Sequence, residues 1–158
     1  MDRINQILND SQFMEYLKKN EQSEEMRIFC RHDLVHFLDV CRIALILNLE
    51  RNLGLDKEII YAAGLLHDIG RWVEYATGQD HASASAELAK AILERCGFSK
   101  GETAAILDAI SAHRSKAHES ELSRILFEAD KASRMCLTCP ARSQCKNFRH
   151  GETFLLKY

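Results

Sequence analysis

The sequence predicts a single all-helical domain, and three observations carry that expectation. One proline and seven glycines interrupt 158 residues otherwise rich in Ala, Leu, Ile, Glu and Lys, a composition that favours helices. Apolar residues recur at steps of three and four along most of the chain, the period of a helix with one buried face. Capping residues stand ahead of several of these stripes, and glycines close them.

Between Arg3 and Asn20, the positions Ile4, Ile7, Leu8, Met14, Tyr16 and Leu17 make one or two amphipathic segments that cover the core. Glu21 to Arg27 is polar and reads as a connection. A long helix is expected from Ile28 to about Leu53, closed by Gly54; Val40, Ala44 and Leu47 follow His36 at steps of about four and put it on the inward stripe. His32 lies one turn before His36, a spacing at which two imidazoles can chelate, but it does not fall clearly on the apolar stripe. Asp56 caps a helix from Lys57 to Ile69 whose run Ala63-Gly64-Leu65-Leu66 delivers His67 and Asp68 side by side and stops at Gly70, read here as a helix terminator. Trp72 to Tyr75 is a short aromatic segment, and Thr77-Gly78-Gln79-Asp80 a loop and cap. The next helix begins at His81, follows Ala84, Leu88, Ala91 and Ile92, and ends at Gly97. Ser99 and Glu102 form a capping box before a helix with Ile106, Ala109, Ile110 and His113 on one face. A last helix, from about Glu119, buries Leu122, Ile125, Leu126 and Ala129, with Asp130 one turn after Leu126.

The net charge of -2 gives no electrostatic case for nucleic-acid or membrane binding, so any anion site is local. The N-terminus has no apolar signal core, and the run Ile43 to Leu47 is far short of the roughly 20 residues that span a bilayer. A cytoplasmic location is expected. Six cysteines in such a chain read as thiols or metal ligands rather than disulfides.

Burying a carboxylate beside a histidine is costly unless a cation or hydrogen-bond partners offset it, so the His67-Asp68 pair points to a metal. Four other helical stripes each carry one ligand-type side chain: His36, His81, His113 and Asp130. His32, His118 and His150 stand apart from this pattern.

The order His36, His67-Asp68, His81, His113, Asp130 resembles the HD superfamily of metal-dependent phosphohydrolases. The strongest local matches are His36-Phe37-Leu38-Asp39-Val40, Leu66-His67-Asp68-Ile69-Gly70-Arg71 and Glu128-Ala129-Asp130-Lys131. The resemblance implies a compact helical HD-domain bundle over residues 30–134, with an N-terminal helical cover at 1–29 and a short Cys-rich segment at 135–158. It implies that His36, His67, Asp68 and Asp130 hold a first metal. His81 and His113 match the subgroup that binds a second, with Asp68 bridging. The doubled histidine of the cyclic dinucleotide phosphodiesterases is missing at His113-Arg114, and Arg71 and Trp72 replace the acidic residues of the nucleotidase and alarmone-hydrolase branches.

Imidazole and carboxylate ligands suit Fe, Mn, Zn, Co or Ni without selecting among them. Such an ion activates water for attack on phosphorus, and no side-chain nucleophile is needed. Asp68, Arg71 and Lys131 are the candidate catalytic residues, while Arg71, Arg114, Lys131 and Arg134 stand close enough in sequence to the ligands to bind phosphate oxygens. The expected partner is a small phosphorylated substrate, with a homodimer as a further candidate assembly. The alternative from another class is a non-catalytic sensor using the same pocket or the cysteines.

Cys136, Cys139 and Cys145 have a spacing that can supply three corners of a tetrahedral site. Cys30 is the candidate fourth donor, since it precedes His36 by the six residues that separate Asp130 from Cys136, about 9 Å along a helix. His32, Cys96 and His150 are alternatives. Structural zinc and a [4Fe-4S] cluster both fit the spacing, as does a tail of reduced thiols. Cys41 reads as core, and Phe154-Leu155-Leu156 as a segment that packs on the body or on a partner.

Overall fold

The computed structural model describes residues 1–115 and 119–145. His118, His150 and Phe154-Leu155-Leu156 lie outside the described residues. Among the described residues eight α-helices run in order: α1 Asp2–Leu8, α2 Ser11–Ser23, α3 Leu34–Glu50, α4 Lys57–Leu66, α5 Arg71–Thr77, α6 His81–Arg95, α7 Lys100–Ala112 and α8 Glu121–Ala132. A 3₁₀ turn at Arg142–Gln144 follows, and the described residues contain no strand. The all-helical expectation holds.

The central element is α4, which packs against α1, α3, α6, α7 and α8. Ile60, Ala62, Ala63, Gly64, Leu65 and Leu66 are all buried, as a helix surrounded on most sides requires. Small residues let its neighbours come close. A Cβ at Gly64 would lie 2.6 Å from Cys41 Sγ, so α3 approaches α4 where there is no room for a side chain. The core continues through Phe37, Val40, Ile92, Leu93, Ile106, Ile110 and Ile125, and the N-terminal helices add Ile4, Ile7, Phe13 and Leu17 to it.

Side-chain caps explain most helix starts, and they correct several sequence boundaries. The Asp33 side chain accepts from His36 N at 2.9 Å and starts α3 at Leu34, six residues later than expected, so Cys30 and His32 lie in an irregular entry segment. Ser120 and Ser123 cap α8 reciprocally and start it at Glu121 rather than Glu119. Helix α2 runs on to Ser23, into the stretch read as a connection. The aromatic segment is itself a helix, α5, closed by Gly78 at φ 79°, a left-handed conformation that suits glycine.

Candidate metal centre

Helix α4 ends one residue before the His-Asp pair: His67 caps its C-terminus and Asp68 starts the turn into α5. This turn is braced from two sides. Buried Asn20 donates from Nδ2 to the Asp68 carbonyl at 2.8 Å, while its Oδ1 accepts from Trp72 N at 2.9 Å. Gly70 N donates to Ser85 Oγ of α6 at 2.9 Å, and a Cβ on Gly70 would lie 2.6 Å from Ser85 N. Gly70 has φ -94°, so its role is to let α6 come near and not to terminate a helix in the left-handed conformation.

Asp68 is the hub. His81 Nε2 lies 3.1 Å and His113 Nε2 3.4 Å from Oδ1, whereas His67 Nε2 lies 3.4 Å and His32 Nε2 3.5 Å from Oδ2. His36 Nε2 faces Asp130 Oδ1 at 3.6 Å. Two sets of ligand atoms, each within 4.8 Å of one another, result: His36, His67, Asp68 and Asp130, and Asp68, His81 and His113. Asp68 belongs to both.

The rings are held so that one nitrogen faces inward. His67 Nδ1 lies 2.7 Å from the Gly64 carbonyl and His113 Nδ1 2.6 Å from the Ile110 carbonyl. A carbonyl only accepts, so each Nδ1 carries a proton, and each ring turns its Nε2 towards Asp68. His36 Nε2, His67 Nε2 and Asp68 Oδ1 are buried without a hydrogen bond. Such orphans are costly in a protein interior unless a ligand satisfies them, and this donor set fits a divalent cation.

Burial, and then the neighbouring His67, push His36 down to about 4, so its ring is neutral near pH 7. Burial opposes charge on Asp68, but His67 and His32 outweigh it and hold the carboxyl well below its usual range. Asp130 is likewise held at about 2, against the cost of burial, with His67 its largest favourable neighbour. Both acids are anionic near neutrality.

All six expected metal residues, drawn from five separate segments, meet in one centre around Asp68. Arg71 reaches it as well: Nη1 lies 2.7 Å from His81 Nδ1 and 3.0 Å from Glu74 Oε2, and its buried Nε has no hydrogen bond. Lys131 and Arg134 pair with the second oxygen of Asp130, Arg134 at 3.3 Å. Arg114 is half-exposed and tied to Glu74 and Asp80 at 3.1 and 2.6 Å.

Sequence periodicity missed His32. It sits outside any helix, and Glu24 aims it: Glu24 Oε1 lies 2.5 Å from His32 Nδ1, and Oε2 accepts from His32 N at 2.7 Å. Tyr75 donates to the same Glu24 Oε1 at 2.7 Å. Recognising Asp33 as the cap would have released His32 from the helical stripe, whereas nothing local marks Glu24.

An all-helical domain in which helix ends bring imidazoles and carboxylates onto one buried aspartate belongs to the class of helical metal-site domains. More particularly, residues 33–135 match the family described as HD domain, and the chain belongs to that family. An uncharacterized protein of Clostridium beijerinckii is 43% identical over 155 residues, 94% of this chain and 98% of its own length. Ribonuclease Y 1 of Pediococcus pentosaceus is 34% identical over 96 residues, which cover 61% of this chain but 17% of that protein. A crystal structure of a predicted HD superfamily hydrolase from an uncultured Thermotogales bacterium shares the fold at TM-score 0.63 and 27% identity, over 87% of this chain and 78% of that one. Among the described residues no helix is long and apolar enough to cross a membrane.

Proposed function

We propose that this HD domain is a metal-dependent phosphohydrolase acting on a nucleotide or another small phosphate ester or anhydride. One observation carries the reading: a single buried carboxylate, Asp68, is shared by two adjoining ligand sets, and its Oδ1 and the Nε2 atoms of His36 and His67 are buried without a hydrogen bond. His36, His67, Asp68 and Asp130 would hold one cation, and His81 and His113 with Asp68 a second. A cation there would supply Lewis-acid charge and an activated water for attack on phosphorus.

The remaining chemistry belongs to the chain's own side chains. Arg71 stands against His81 with an unsatisfied Nε, placed to bind a phosphate oxygen. Lys131 and Arg134 border Asp130 and can take up charge on the leaving side. An open depression of about 350 Å³, lined by Ser23, Met26, Arg27, Ile28, Phe29 and Tyr75, lies apart from the candidate ligands, and only the relay of side-chain contacts Tyr75–Glu24–His32–Asp68 links it to them.

The test is turnover of phosphomonoesters, phosphodiesters and phosphoanhydrides with added Mn or Fe. The likeness to a segment of ribonuclease Y adds a short RNA to the diester panel. Hydrolysis should fall by more than about 100-fold in His67→Ala and Asp68→Ala, beyond the loss expected for a residue that only supports a ligand. Equal rates in wild type and variants would refute the reading, and ligand binding without turnover by fully metallated protein would favour a sensor.

A further inference from the structure

Four of the six cysteines take no part in the core or in the His-Asp centre. All six are free; Cys41 and Cys96 are buried, whereas Cys30, Cys136, Cys139 and Cys145 are half-buried. The four come from the two ends of chain that meet at the centre. Cys30 stands three residues before Asp33, the cap of α3, and Cys136 three residues beyond Ser133, the cap of α8. Ser133 Oγ lies 3.2 Å from His36 Nδ1 and donates to the Asp130 carbonyl at 2.9 Å, so the start of α3 and the end of α8 sit against each other.

Beyond α8 the backbone coils tightly. Cys139 N donates to the Cys136 carbonyl at 3.5 Å, Arg142 N to the Cys139 carbonyl at 3.2 Å, and Cys145 N to the Arg142 carbonyl at 3.2 Å. Across the gap, Arg27 Nε donates to the Cys30 carbonyl at 2.8 Å and fixes that turn of the entry segment.

We propose that Cys30, Cys136, Cys139 and Cys145 ligate an iron–sulfur cluster that clips the entry of α3 to the exit of α8. The thiol of Cys136 lies within electrostatic reach of the thiols of Cys30, Cys139 and Cys145. Four neighbouring thiols form a donor set that suits a soft metal site. Sulfur spacing separates the candidates. A tetrahedral zinc with Zn–S of about 2.3 Å draws its sulfurs to about 3.8 Å apart. Among the described residues, these thiols do not form a group within 4.8 Å of one another, as the histidines and aspartates do. A cluster, whose irons each take one thiolate at a different corner, accepts wider spacing. The Cys-x2-Cys-x5-Cys run with one remote cysteine matches that arrangement.

The experiment is anaerobic purification and reconstitution of the full chain with iron and sulfide, followed by iron, zinc and acid-labile sulfide analysis and visible absorption. Wild type should hold sulfide and show a broad visible band that bleaches on reduction. Asp68→Ala should retain both, because the His-Asp centre holds no sulfide, and Cys136→Ser and Cys139→Ser should lose both with helical circular dichroism unchanged. Electron paramagnetic resonance of the reduced wild type provides a readout that does not depend on any variant folding. Absence of sulfide from reconstituted wild type, or one zinc per chain lost in the cysteine variants, would overturn the cluster. Metal and sulfide contents indifferent to the cysteine substitutions would overturn the site.

Discussion

Glu24 shows how a residue without a motif can set the geometry of a centre. It is 2% exposed and meets His32, Tyr75 and Arg27. Burial works against its charge, but the hydrogen bonds and charge of His32, together with the hydrogen bond from Tyr75, outweigh it and lower the carboxyl to about 2, below the ordinary 4.5. A carboxyl depressed in the folded state stabilises the protein above its unfolded pKa, and that contribution is lost as pH falls towards 2. Glu24→Gln should therefore lower stability by about 1–3 kcal/mol at pH 7, with the gap from wild type narrowing between pH 4.5 and 2. Thermal unfolding across that range checks it; a gap that widens on acidification would contradict the assignment. The candidate metal histidines were legible because each lies on or beside an apolar stripe at helical spacing. His32 was not, because its orientation comes from a glutamate eight residues earlier across an irregular turn.

At the scale of the element, the turn between α4 and α5 carries the centre, and its precision depends on close approach. Gly70→Ala would drive a methyl against Ser85 N, with no flexible side chain to yield. Overpacking of this kind costs about 1–3 kcal/mol, and it should push α6 outward and His81 with it. We expect a lower unfolding midpoint and weaker metal retention, measured by calorimetry and by elemental analysis after dialysis. Unchanged retention would mean that α6 is not held by this contact. Helix existence was readable from periodicity except at α5, which read only as a short aromatic segment. The boundaries that moved did so where a cap competed with the pattern: apolar residues near Ile28 suggested an early start, but Asp33 takes the His36 amide and begins α3 at Leu34. The helical rise invoked for Cys30 therefore does not apply, and the contact between α3 and α8 at Ser133 replaces it.

At the scale of the whole molecule, α4 is buried among five helices, and the functional atoms gather where α3, α4, α6, α7 and α8 end or begin. Packing positions the ligands: Phe37, fully buried, sets its ring 5.5 Å from His67 and 5.9 Å from His36. Such convergence is a tertiary property, and the sequence could suggest it only through the number of inward-facing ligand types on separate stripes. The sharing of Asp68 between two ligand sets is what the functional reading rests on. It is tested most directly by metal content per chain in protein purified without chelator and reloaded with Mn, for wild type, Asp130→Ala, His81→Ala and Asp68→Ala. The account predicts partial loss in Asp130→Ala and in His81→Ala and near-complete loss in Asp68→Ala, with all variants folded. Mn retained at the wild-type level in Asp68→Ala would contradict it.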